Sequence, residues 1–281
     1  KGLRPIVSVS MAIESLILTD LGISCLCKII FIISRYISLF FIYENVISHI
    51  NTYMTKTVVI FGGSGFIGNH IVRRLSKLGY RIIVPTSNLR KSMHLKLLGN
   101  VGQVVPIKFN KLDQIQIEKF IRYSDCVINL KTIWTESKNN TFYNKIYKLN
   151  KLIVDTVIKY KITKYIFFSG IGINNKSLSK RIASINITEK YIKNNLTDYS
   201  IIRPSIVIGD GDKFINKLLK FFRLSFFIPI FGNGKARFQP TYVDDVALGI
   251  EKLVIKKEVD GNIYEFGGNE ILDYNSLYKI I

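Results

Sequence analysis

Residues Thr57–Phe61 read TVVIF, and GGSGFIG follows at once. No other feature of the chain restricts its fold so tightly. A short β-branched run without polar interruption suits a strand buried on both faces. Gly62, Gly63, Ser64, Gly65, Phe66, Ile67 and Gly68 come next, and Asn69–Leu78 then carries Ile71, Val72, Leu75 and Leu78 at helical spacing. The predicted order is strand, glycine turn, helix. Such a turn needs one glycine to reverse tightly and another to admit a pyrophosphate to the backbone N–H groups. A third, Gly68, lets the helix lie close on the strand. The helix N-terminus adds partial positive charge, so the ligand expected here is a dinucleotide.

The alternation continues downstream. Strands are predicted at Arg81–Val84, Val104–Phe109, Asp125–Leu130, Tyr165–Phe168 and Ser200–Ile202. Helices are predicted over Ile115–Arg122, about Asn144–Tyr160 and around Ile187–Asn194. Alternating strands and helices imply parallel βαβ units with right-handed crossovers. The fold class is therefore α/β, a Rossmann-type doubly wound parallel sheet. Ligands of such sheets bind at the carboxyl ends of the strands. Those ends hold Gly62–Gly65, Ser87, Asn110, Asn129, Leu130, Lys131, Ser169 and Pro204, which should line one crevice. Residues 54–208 are assigned to this domain and 209–281 to a small, partly truncated C-terminal lobe.

Composition narrows the class. Apolar residues make up 48% of 281, enough for a core, so disorder is excluded as the main state. Three cysteines, Cys25, Cys27 and Cys126, build no disulfide framework and no zinc ligand set, and fit a reducing compartment. His49, His70 and His94 lack metal-ligand spacing, and His70 is expected on the exposed side of its helix. Asp210/Asp212 read as a turn and helix start, and Asp244/Asp245 as a helix cap, so no metal site is expected. The charge is +20, from 40 basic and 20 acidic residues. It is spread thinly, without a Lys/Arg block or a reading motif, so no nucleic-acid site is expected.

Residues 1–53 differ from the rest. Ile29–Tyr43 (IIFIISRYISLFFIY) is apolar but short for a membrane span and carries Arg35 mid-way. Met54 ahead of the first strand reads as a natural start, with 1–53 as an upstream extension; a membrane-contacting segment and a targeting peptide are the alternatives. Phe221–Phe231 is rich in aromatic and aliphatic side chains and, with Trp134, suits packing of the lobe or an interface more than holding a cofactor; exposed, the stretch would be a partner or membrane surface.

The set GGSGFIG, VINL, IFFSG and RPSIVIGDGD resembles the extended and atypical short-chain dehydrogenase/reductase superfamily. Met93–Lys96, Gly99–Val105 and Gln239–Val246 make the chain similar, more narrowly, to the nucleotide-binding accessory subunits of respiratory complex I and their bacterial relatives. The resemblance runs from about Thr57 to the end. It implies that Gly62, Gly65, Phe66 and Gly68 hold a pyrophosphate, and that the cofactor is NADP or NAD. No acid lies between Gly68 and Asp113 to accept from a ribose 2′-OH, and Arg90 and Lys91 follow the second strand, which favours NADP. Ser87 pulls the other way, because it stands where such subunits commonly carry an arginine for the 2′-phosphate. Asn110 replaces an adenine-contacting aspartate, and Lys131 replaces a small residue near the ribose.

Active members of the superfamily use a Ser and a Tyr-x-x-x-Lys pair on the next helix. The lysine lowers the tyrosine pKa so that the phenol can pass a proton. Ser169 matches the serine, but Arg181 and Ile185 occupy the tyrosine and lysine slots, and neither can move a proton usefully. Tyr147/Lys151 and Tyr160/Lys164 fit the string but precede the Ser-bearing strand, and with 15 tyrosines such strings recur by chance. Tyr191 and Tyr242 are the spatial substitutes to examine. No catalytic residue is assigned. The expected function is dinucleotide binding without catalysis, in a structural or assembly role. The partner would be a membrane-associated respiratory complex, and the location cytoplasmic or peripheral on the inner face of a respiratory membrane. The alternative is an active NAD(P)-dependent sugar-nucleotide epimerase or reductase.

Overall fold

The computed structural model describes residues 56–280, apart from 110–111, 139, 174–176, 225–232 and 257–260. Asn110, residues 1–53 and most of the aromatic run up to Phe231 therefore lie outside the described residues. The strands are β1 (Thr57–Phe61), β2 (Arg81–Thr86), β3 (Val104–Lys108), β4 (Cys126–Asn129), β5 (Tyr165–Phe168), β6 (Tyr199–Pro204) and β10 (Asn262–Phe266). They form one seven-stranded sheet in the order β10-β6-β5-β4-β1-β2-β3. Every pairing in it is parallel. The order reverses between β1 and β4, the switch point where doubly wound sheets leave a crevice.

Helices cover both faces. On one lie α1 (Phe66–Lys77) and α7 (Val243–Ile255); on the other lie α3 (Gln114–Ile121), α4 (Leu149–Lys159) and α5 (Lys180–Asn195). The short α2 (Leu89–Ser92) runs into a 3-10 turn at Met93–Leu98. Side chains alternate as the strand period requires. Val58 and Ile60 join Ile71, Val72, Leu75, Ala247 and Ile250 in one core. Val59 and Phe61 join Ile117, Ile121, Ile153, Val157 and Ile185 in the other. Burying each such aliphatic side chain contributes roughly 1.5–3 kcal/mol, which outweighs the weak helical preference of the β-branched residues.

Several predicted boundaries shift. β2 runs on through Pro85, which opposes Ile107 of β3. The long helix expected from Asn144 begins as a wide π-type turn at Tyr143–Lys148 before α4. α5 starts seven residues earlier than expected, capped by the Ser179 hydroxyl, which accepts from Ile182 N. Its first turn carries Lys180 and Arg181 instead of an apolar stripe, so periodicity missed it.

The segment after Ile208 serves two places. α7 and β10 belong to the main sheet and its cover. α6 (Phe214–Leu224), β8 (Arg237–Phe238), β11 (Leu272–Asp273) and α8 (Tyr274–Ile280) gather aromatic rings, with Phe222 against Tyr278 at 5.5 Å and Phe238 against Tyr274 at 5.2 Å. A parallel pair, β7 (Val207–Ile208) with β9 (Thr241–Tyr242), links the two.

Two buried polar clusters fix the sheet. Asn150 Oδ1 accepts from Asn129 Nδ2 (2.8 Å) and Tyr165 Oη (2.5 Å), and its Nδ2 donates to Ile146 O (2.7 Å). Asn129 Oδ1 in turn accepts from Lys131 N, so the wide turn, β4 and β5 share one network. Glu189, 2% exposed, receives two bonds from Arg203, at 2.7 and 3.1 Å. Asn150→Ala strips two buried donors of their acceptor and should cost about 2–4 kcal/mol, read as a lower urea midpoint with an unchanged slope.

Candidate functional site

The glycine turn is as tight as its sequence demanded. Gly62 has φ +84°, and a Cβ there would meet the Leu130 carbonyl carbon at 3.1 Å. A Cβ on Gly68 would lie 2.5 Å from Gly62 O and from Gly63 Cα. Neither position admits a side chain. Gly65 N donates to Gly62 O, and Gly65 is the N-cap of α1. No side chain caps that end, and no acid sits in its first turn. The amide-rich end of a twelve-residue helix therefore faces the crevice with its partial positive charge unquenched.

The other crevice residues divide into those the fold gathers and those it diverts. Ser64 Oγ lies 3.3 Å from Thr86 Oγ1, which bonds Ser92 at 2.8 Å, tying the turn to the end of β2. Ser87 is exposed just beyond it, as are Arg90 and Lys91. Phe66 meets His70 edge-on at 5.8 Å, and Ile67 packs toward the α1 core. Leu130 N donates to Phe61 O, which brings the β4 end against the glycine turn. Pro204 ends β6, and its carbonyl accepts from Ile171 N. Ser169 is committed elsewhere: its hydroxyl donates to Glu189, beside the Arg203 pair.

Lys131 is the most perturbed group at the crevice. Burial, and then the nearby Lys145 charge, lower its pKa from 10.5 to about 8. Its Nζ rests over the Phe109 ring at 5.1 Å from the centroid. Such a lysine gains much from an anion beside it. Arg181, in the tyrosine slot, donates from Nε to Ile133 O (3.2 Å) and lies over the Trp134 ring at 4.1 Å. Ile185, in the lysine slot, is buried in the core.

A hydrogen-bonded tyrosine–lysine pair is present among the described residues. Lys151 Nζ donates to Tyr191 Oη at 3.0 Å, and both contact Asp155. It sits between α4 and α5, and Tyr191 titrates above its ordinary value, through burial first and its bond to Asp155 second. A proton-passing phenol needs the opposite shift. Tyr242 is half-exposed at the start of α7.

His70 corrects the sequence reading. It is 6% exposed, not on the open side of α1. Nδ1 faces Asp244 Oδ1 at 2.7 Å and Nε2 faces Asp210 O at 3.1 Å, so the ring links α1 to α7 and to the turn before α6. An acid and a carbonyl far along the chain make this burial possible, and helical periodicity cannot see them. Asp244 and Asp245 lie in the first turn of α7, whose N-cap is Tyr242. Asp212 does act as a helix start, accepting from Ile215 N at 2.8 Å. Cys126 is buried, which pushes its thiol up to about 12, so it is inert.

A model of the NmrA-like family matches residues 54–199. The chain belongs to the NmrA-like family. Among curated relatives, the mitochondrial NADH dehydrogenase (ubiquinone) 1 alpha subcomplex subunit 9 of Arabidopsis thaliana is 33% identical over 226 residues, covering 79% of this chain and 56% of the relative. The same subunit of Dictyostelium discoideum is 31% identical, covering 79% and 62%. This NmrA-like chain thus spans between about half and three-fifths the length of those relatives. Among solved structures, the Bacillus cereus UDP-glucuronic acid 4-epimerase in complex with UDP-glucuronic acid and NAD superposes with a TM-score of 0.68. It is 20% identical and covers 80% of this chain and 81% of that one. MoeE5 with UDP-glucuronic acid and NAD gives 0.68 at 15% identity, with 80% of each chain covered. At such identities the likeness establishes the fold alone.

Lys131 also gives the site a signature in pH. Its charge opposes folding fully below pH 8, and the penalty fades as pH rises toward the unfolded value of 10.5. Relative to Lys131→Met, the native chain should therefore gain stability between pH 7 and 9.5 in parallel urea titrations. Equal curves across that range would place Lys131 in water.

Proposed function

We propose that the chain binds an NAD(P)-type dinucleotide without turning it over, and serves as a structural or assembly subunit of a membrane-associated respiratory complex. One juxtaposition carries this reading. The glycine turn and uncapped α1 end offer main-chain donors to a pyrophosphate, while Arg181 and Ile185 stand where a proton relay would have to be.

The residues present fit such a cofactor. Gly62, Gly63, Ser64, Gly65, Phe66, Ile67 and Gly68 would hold the pyrophosphate, with Lys131 adding a cation on the β4 side. The end of β2 carries no carboxylate to reject a 2′-phosphate, so NADP and NAD both fit, and Ser87 with Arg90 or Lys91 would meet the adenosine ribose. A bound nicotinamide would supply hydride chemistry. Opposite it, Ser169 is held by Glu189, and Arg181 is held by the Ile133 carbonyl and Trp134. What the chain's own groups then do is bind and order, and a ligand that binds only the native state raises its stability.

The partner part of the reading is supported by similarity to the subunit 9 relatives, which are mitochondrial proteins of NADH dehydrogenase by name. On this reading the chain would lie on the inner, matrix or cytoplasmic, face of a respiratory membrane. Among the described residues no helix is long and apolar enough to cross one.

Thermal denaturation with NADPH and NADH tests the nucleotide half. At a hundredfold excess over Kd, stabilisation should reach about 2.7 kcal/mol. Gly68→Ala should abolish that response, because its Cβ would collide with the Gly62–Gly63 turn. Transfer of a labelled hydride between the nicotinamide 4-position and an added sugar nucleotide tests the other half. None is expected with UDP-sugars present, and measurable turnover would restore the epimerase reading.

A further inference from the structure

The edge of the sheet opposite the crevice carries a second kind of surface. All seven strands run the same way, so their starts share one edge, along with the ends of α1 and α3. Chain elements from four places meet there. Leu78 follows α1 and is 47% exposed; Leu97 in the 3-10 turn is 87% exposed. Val101, in the loop leading to β3, and Tyr123, after α3, are wholly and three-quarters open to solvent. The Val101 loop is pinned to the α1 end: Gln103 Nε2 donates to Ser76 O (2.6 Å) and Tyr80 O (3.1 Å), and Ser76 Oγ donates to Leu98 O (2.5 Å). These apolar tips are held out by a rigid mount, so their exposure is a property of the fold.

Cations surround them. Lys56, Lys77, Arg81, Lys96 and Arg122 are all exposed along this edge, with Arg122 lying over the Tyr123 ring at 4.5 Å. From Thr57 to Leu112 the chain contains no Asp or Glu. The nearest carboxylates are Glu251, which pairs with Arg74 at 2.6 Å and lines one cleft with Lys77 and Leu78, Asp125, whose Oδ2 accepts from Thr57 N at 2.7 Å, and Glu118, held by Lys159. Farther along lies Asp198, at the start of β6. Glu251, Asp125 and Glu118 each already have a partner, so the exposed charge on the β1–β3 half of the edge is predominantly cationic.

We propose that this edge, through Leu78, Leu97, Val101 and Tyr123 with Lys77, Arg81, Lys96 and Arg122 around them, docks on an anionic lipid bilayer and turns the dinucleotide crevice away from it. Two observations favour lipid over a protein partner. The apolar tips are separate points interspersed with cations, the pattern of interfacial insertion combined with headgroup attraction. The charge complements an anionic leaflet. The proposal rests on the peripheral-membrane part of the function proposed above and is independent of nucleotide binding.

The single tryptophan provides the test. Trp134 follows β4, on the crevice side, and is exposed. The full chain is mixed with vesicles of phosphatidylcholine and 30% phosphatidylglycerol, an amount chosen at roughly the anionic content that attracts polybasic segments, with brominated acyl chains as quenchers. Native Trp134 should stay unquenched, whereas Val101→Trp in a Trp134→Phe background should be quenched. Lys77→Gln with Lys96→Gln should lower partitioning about thirty-fold, and neutral vesicles should bind more weakly still. Binding with Trp134 quenched and position 101 dark to lipid overturns the orientation while leaving a peripheral location intact. Absence of binding to anionic vesicles overturns the lipid partner itself.

Discussion

Everything at the crevice depends on how closely α1 approaches β1. With Gly68 in van der Waals contact with the Gly62–Gly63 turn, the helix axis points its first amides at the gap between β1 and β4. The approach is enforced from both sides. Ile71, Val72 and Leu75 bury against Val58 and Ile60, and the Leu130 backbone closes over Gly62. A side chain at either glycine would have to push the helix away from the sheet, which would take the partial charge with it. The anion-binding character of the crevice is therefore a consequence of packing, not of charged side chains.

Charged groups around it are arranged accordingly. The buried acid of the region, Glu189, is spent on Arg203 and Ser169, well inside the fold, where its two bidentate bonds offset desolvation. The cations nearest the crevice, Lys131 and Arg181, have ring faces and neutral oxygens as their neighbours. A cation desolvated without a carboxylate lowers stability until an anion arrives. On the function proposed above, a phosphate-bearing ligand at the α1 end and Lys131 would relieve that imbalance.

Legibility in the sequence followed the range of the forces involved. β1, the turn and α1 are encoded within about twenty residues by local rules, so their positions and the parallel alternation could be read directly. α5 was recognised but started too late, because its cap is one hydroxyl and its first turn is basic, signals weaker than an apolar stripe. His70 was placed on the wrong side because its partners, Asp244 and Asp210, lie in distant segments. Nothing in a helical period marks a polar residue as buried when its acceptors come from another element. The membership of α7 and β10 in the main sheet was missed for the same reason: both follow the lobe in sequence and return to the core only through tertiary packing.

Arg181 and Ile185, which the resemblance puts at the tyrosine and lysine positions, have packing roles in this architecture. Ile185 fills the core beneath α5 as a large aliphatic should, where a lysine would need a carboxylate or water. Arg181 fastens the loop after β4 by its bond to Ile133 O and its stack on Trp134, so the crevice wall is held from α5 without a reacting group. Restoring chemistry would then require more than two substitutions. A lysine at position 185 would be buried among Ile153, Val154 and Ile192, and a tyrosine at 181 would release the loop that positions Lys131. The residues at the proposed binding site and those at positions 181 and 185 are coupled through that loop, so on the function proposed above the non-catalytic state would be a stable arrangement of this fold and not a single step from an enzyme.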